Sequence, residues 1–259
     1  MVADKDAETG EVDRTFSGLR RFNAAMGLLH LVQGIVMIII SSDFALPVTT
    51  LYLKFNPEET ALIQNLQELG KLTIGPVVGS FLLLSALAHF VVSTVGYRWY
   101  VKNLKNEINP ARWYEYALSS SVMIVVIAML AGMYDLASLI LIFALNATMI
   151  LFGMTMEIGN EDREDVDWRP FIYGCFAGLV PWVAIALYLF GTTPPNFVYG
   201  IFGSIFFFFN VFALNMYLQY KKVGPWEDYL FGERAYIVLS LVAKTLLAWQ
   251  VFAGTLRPM

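Results

Sequence analysis

Residues 232–254 read GERAYIVLSLVAKTLLAWQVFAG. After Arg234 the stretch holds a single charged side chain, Lys244. As a helix rising ~1.5 Å per residue, the run Glu233–Gly254 is long enough to cross a ~30 Å hydrocarbon core. Six more runs of this kind precede it: Phe22–Ser41, Leu72–Tyr97, Arg112–Met133, Leu136–Met156, Pro170–Phe190 and Phe197–Gln219. The reading is an all-α membrane protein, a bundle of seven transmembrane helices forming one membrane domain over residues 1–259.

Composition agrees. Apolar residues make up 58% of the chain and charged residues only 15%, where a soluble domain carries roughly a quarter. The charges are clustered between the apolar runs, and a net charge of −4 gives no reason to expect a nucleic-acid partner. The expected partner is membrane lipid. The first 18 residues form a polar, acidic arm without the apolar stretch of a signal peptide. A single cysteine, Cys175, excludes internal disulfides and offers no metal framework.

The connections around Tyr134-Asp135 and Gly191–Asn196 are short, so the spans on either side form antiparallel hairpins. The connection of residues 42–71 is long. Its segment Val48–Phe55 is rich in β-formers and turns at Asn56-Pro57, which suggests a small β-hairpin-like loop. Glu58–Leu62, with acids in its first turn, reads as the start of a short helix.

Basic residues set the orientation. With the N-terminus inside the cell, thirteen Lys and Arg fall on the inner side, from Lys5 to Arg234, and three (Lys54, Lys71, Arg257) on the outer side. The positive-inside rule then places the N-terminus in the cytoplasm and the C-terminus and the long loop outside the cell membrane.

That count leaves Lys244. It lies ~16 Å from the nearer charged edge of its span and its side chain reaches only ~6 Å, too short to snorkel. An unpaired ammonium there costs several kcal/mol, so the group is paired, neutral or covalently modified. It is either half of a structural salt bridge or an amine nucleophile that forms an imine with an aldehyde, and a lysine at this depth favours the second. A cationic imine needs an anion, and Glu115 is the carboxylate placed well inside an apolar run. Ser119, Ser120 and Ser121 extend a polar face from it into the membrane. His30 and His89 both fall ~12 Å from the cytoplasmic side, level with Glu115. Each is either a satisfied helix contact or part of a polar pocket that Ser85 and Ser240, one turn from His89 and Lys244, can join.

These residues resemble the heliorhodopsins, retinal proteins distinct from the pump-type microbial rhodopsins. The resemblance rests on Asn109-Pro110-Ala111-Arg112-Trp113-Tyr114-Glu115-Tyr116 with Ser119 and Met123. It rests equally on Gly232–Tyr236, on Leu239–Lys244 and on Leu247–Leu256. Ala117 departs from it, standing where the family usually has serine. The resemblance implies all-trans retinal covalently bound in the dark on Lys244 and Glu115 as counterion. His30 and His89 are implied as a histidine pair in a polar cavity that accepts the proton, with Ser85 and Ser240 lining it. Phe209 is implied against the polyene, with Tyr116, Ser119, Met123, Asn146 and Pro181 as further pocket residues. It also implies a homodimer in which the long loop folds as a β-hairpin over the partner.

A proton pump needs carboxylates in series. Ser240 stands four residues before Lys244, and Val126 stands eleven after Glu115 where a donor would sit. The expected function is therefore a light sensor that works by retinal isomerisation on a protonated Schiff base, without pumping. The alternative is a light-driven proton transporter. No metal cluster, nucleophile–base pair or phosphate loop suggests an enzyme. The loop Glu157–Arg169, with six acids and two arginines, is either a solvated turn or a surface for a cytoplasmic signalling partner.

Overall fold

The computed structural model describes residues 2–161 and 163–256, with side chains from residue 14 onward. Helix α1 (Val2–Ile40) continues without a break from the polar arm into the first span. A two-stranded antiparallel hairpin follows, β1 (Ala45–Asn56) and β2 (Ala61–Thr73). Then come α2 (Ile74–Ser93), the short α3 (Tyr97–Leu104), α4 (Pro110–Leu130), α5 (Leu136–Asn160), α6 (Arg169–Gly191), α7 (Asn196–Tyr220) and α8 (Tyr229–Val251). Among the described residues seven helices, all but α3, are long and apolar enough to cross a membrane. The two ends of the bundle are called here the arm end, where α1 enters, and the hairpin end.

Local chemistry sets several of the boundaries. Asn109 caps α4 by accepting the Arg112 N–H at 3.1 Å, with Pro110 in the first turn where its missing N–H costs nothing. Asp135 caps α5 through both the N–H and the hydroxyl of Ser138, each at 2.8 Å. Between α4 and α5, Gly132 takes φ +101°, which a side chain would resist. Asp167, just before α6, is held at about 2 by hydrogen bonds from the Arg169 guanidinium.

Two expectations are corrected. The second span is the helix Ile74–Ser93, shorter at both ends than the run Leu72–Tyr97. The Ser93 and Thr94 hydroxyls fold back onto the carbonyls of His89 and Phe90 at 2.7 and 2.5 Å, and the chain turns at Gly96 before α3. Glu58–Leu62 does not start a helix either. The Asn56 side chain accepts the Glu58 N–H at 3.1 Å and Thr60 takes φ +51°, so the chain reverses and Ala61 pairs with Asn56 as the first residue of β2.

Helix α4 is the most enclosed of the seven. Helices α1 and α2 approach closely through small residues: a methyl group on Gly34 would stand 2.9 Å from Leu83 and 3.3 Å from the Gly79 carbonyl. The hairpin is tied to the bundle where Thr49 N–H donates to the Tyr134 carbonyl at 2.8 Å. Leu51, Leu53, Phe55, Leu62 and Leu66 lie exposed on its strands.

Candidate functional site

Helices α2, α4 and α8 each bring one polar side chain to a point in the middle of the bundle. Lys244 Nζ donates to Glu115 Oε1 at 2.7 Å and to Ser85 Oγ at 2.6 Å. Ser85 Oγ also lies 2.6 Å from the same Glu115 oxygen. Lys244 and Ser85 are buried, and the Glu115 side chain is 8% exposed. The cation is thus held by one carboxylate and one hydroxyl, with the Tyr116 ring 5.1 Å below it.

From this point an apolar slot opens between α4, α5, α7 and α8. Ser119, Ser240, Tyr116, Met123 and Phe209 line it together with Lys244, and so do Met149, Ile150 and Phe212. A second cavity shares Tyr116, Met149, Ile150, Phe209 and Phe212 and continues the slot toward Trp113, Gly174 and Met216. The Trp113 ring occupies the space that a methyl group on Gly153 would need. An amine beside a carboxylate, at the end of an elongated slot walled by aromatic and methionine side chains, fits an apolar polyene aldehyde.

The remaining expected residues sort into neighbours and outsiders. His30 and His89 stack with centroids 5.6 Å apart. His89 Nδ1 is 2.8 Å from Asn23 Oδ1, and His89 lines a cavity with Ser85 and Glu115. The His30 ring nitrogens have no hydrogen-bond partner among the described residues. Asn146 is buried but bonds the hydroxyls of Ser120 and Ser121 at 2.9 and 3.0 Å, one layer from Lys244. Pro181 is buried within α6 and is not among the residues lining the slot. Its neighbour Trp182 packs edge-on against Phe209 with centroids 5.4 Å apart.

Sequence reading missed a second charged group. Arg112, counted among the inner-side basic residues, Glu157, read as the first residue of a loop, and Glu233, read as the first residue of the last span, are buried together at the arm end of the bundle. Arg112 pairs with both carboxylates and lies between the Trp113 and Tyr236 rings, 4.4 and 4.0 Å from their centroids. Reading missed Asn23 and Tyr100 as well, which extend the polar path from His89: the Asn23 amide donates to the Tyr100 hydroxyl at 3.5 Å. Burial pushes that hydroxyl up to about 12, so it stays neutral at neutral pH. Asn23 could have been found, because it lies two helical turns from His30 on the same face of α1.

The family model described as Heliorhodopsin matches residues 19–256, nearly the whole chain. No curated protein matches it.

Proposed function

The chain belongs to the heliorhodopsin family, a family of retinal photoreceptors, and on that premise we propose that it is a light sensor that holds retinal on Lys244 and moves no ion across the membrane. Retinal, when bound, supplies a polyene that absorbs visible light and changes shape about a double bond. The chain supplies the amine at Lys244 Nζ, the balancing charge at Glu115 and the walls of the slot.

The observation that carries the reading is the one-sided distribution of buried titratable groups around Lys244. Toward the arm end, Glu115 is followed by Ser85, His89, Asn23, Tyr100 and Asn109 around one cavity. Toward the hairpin end come only hydroxyls and an amide, Ser119, Ser120, Ser121 and Asn146, and beyond them Ile124, Val126, Ile127, Leu247, Ala248 and Val251 are fully buried in one apolar cluster. A proton leaving Lys244 Nζ for Glu115 has a histidine on the arm-end side and, among the described residues, no buried titratable group on the other, so it returns by the side it left. Glu115 then acts as counterion and local acceptor, and His89 with Asn23 holds the proton within the arm-end cavity.

The basic residues of the arm and of the α2–α4 connection support a cytoplasmic arm end and an extracellular hairpin. The exposed apolar side chains of the hairpin support assembly of two copies across it.

The test is to purify the chain with all-trans retinal, record its spectrum, and illuminate sealed vesicles that contain it. A visible band with no uncoupler-sensitive pH change is expected. A sustained light-driven pH gradient would replace the sensor reading with that of a transporter.

A further inference from the structure

The cluster at the arm end holds two carboxyl groups and one guanidinium. Arg112, Glu157 and Glu233 are 7, 3 and 0% exposed, and among the described residues no other basic side chain pairs with either glutamate. An uncompensated carboxylate in such a place is relieved by taking up a proton.

The donors around each glutamate decide which one takes it. Glu157 accepts four hydrogen bonds: from the Arg112 guanidinium, the Asn109 backbone N–H at 2.9 Å, the Trp113 indole at 2.5 Å and the Tyr229 hydroxyl at 3.3 Å. Three of these donors cannot act as acceptors, so a proton on Glu157 would face hydrogens. Glu233 accepts one well-formed hydrogen bond, from the Asn109 side-chain amide at 2.7 Å. Its Oε1 also pairs with Arg112 Nη1, so it shares the one guanidinium with Glu157. The other titratable groups around this corner are Tyr236 on α8, Tyr220 on α7 and, lining the cavity beside Glu233, Tyr116 and Glu115 on α4, Tyr100 on α3 and His89 on α2.

We propose that Glu233 carries a proton in the resting protein and is a second proton-exchanging group of the cavity that Glu115 and His89 line. Glu157 and Arg112 form the balanced ion pair, and Glu233 is the neutral acid beside it. Its proton is the one nearest the arm-end mouth of the polar path, and the cavity allows it to respond when charge moves between Lys244 and Glu115. The response to light rests on the retinal reading above; the resting proton does not.

Infrared spectra of the full chain, with and without retinal and in H2O and D2O, read this directly. A carbonyl band of a neutral carboxylic acid that shifts in D2O is expected in both forms in the dark. It should vanish in Glu233→Gln, move in Glu233→Asp, and persist in Glu115→Gln, where the loss of a charge on the same cavity shifts it without removing it. It should also keep its frequency in Glu157→Asp, which separates the two glutamates even if Glu233→Gln does not fold. Illumination of the retinal-bound protein should perturb the same band. A band that survives Glu233→Gln, or that moves in Glu157→Asp instead, overturns the assignment. A band that light leaves untouched overturns the exchange. Failure to form a pigment would overturn the retinal reading, and the band of the retinal-free protein would still report the resting proton.

Discussion

Glu115 Oε1 lies 2.7 Å from Lys244 Nζ across the α4–α8 interface, and Ser85 Oγ from α2 is within 2.6 Å of both atoms. Three helices therefore meet at one charge pair. In low dielectric such a pair is strongly coupled, and each partner fixes the state of the other.

Lys244→Ala should abolish the visible band and leave the protein folded. Truncation opens the end of a slot that already exists, and among the described residues no other lysine lies at that depth. A borohydride-reducible retinal adduct in the variant would show that another amine carries the chromophore.

Accessibility mapping should place a C-terminal tag outside the cell and the loop of residues 161–168 inside. The thirteen-to-three division of basic residues is the reason. A cytoplasmic C-terminal tag would reverse the orientation and put the arm-end cavity on the outer face.

The seven spans, Lys244 and Glu115 were legible because an apolar run betrays any charge within it. The Arg112–Glu157–Glu233 cluster was not. Its members sit at the ends of α4, α5 and α8, where a charged side chain normally meets solvent, and only tertiary packing buries them. Helix α3 was hidden for a different reason: Tyr97–Leu104 is a short segment with Arg98 and Lys102 and reads as part of a charged connection, and hydroxyls that turn back on the backbone set the break before it. Asn146 and Pro181 were inferred by resemblance alone, and each lies beyond the slot lining that contains Lys244.

Arg112→Met should destabilise the protein by about 3–5 kcal/mol, as expected when one partner of a buried ion pair is removed. Thermal unfolding in detergent would read it as a lowered Tm. Adding Glu157→Gln should recover part of the loss, because the stranded carboxylate is then gone. Unchanged stability in Arg112→Met would mean that water reaches the cluster.

His30→Ala combined with His89→Ala should leave the absorption maximum close to wild type and alter how the pigment recovers after a flash. The rings stack on each other, and only His89 lines the cavity that Glu115 borders. Flash photolysis with unchanged lifetimes and yields would remove both histidines from the proton-holding role and leave it to Glu115.

Glu115→Gln tests the counterion itself. The anion stabilises positive charge at the Lys244 nitrogen, and does so most in the ground state, where that charge stays closest to it. Removing the anion narrows the optical gap, so the visible band should move to longer wavelength. The same loss makes the proton on that nitrogen easier to remove. The band should therefore disappear on raising the pH at a lower value than in the wild type, by more than about one pH unit given the strength of the coupling. At neutral pH the variant is then either red-shifted or blue-absorbing, and acid should restore the red band in the second case. Ser85 remains within hydrogen-bond distance of the nitrogen in the variant, but a hydroxyl carries no charge and cannot replace the carboxylate. An unchanged spectrum and titration would remove Glu115 from the role and point to a bound anion.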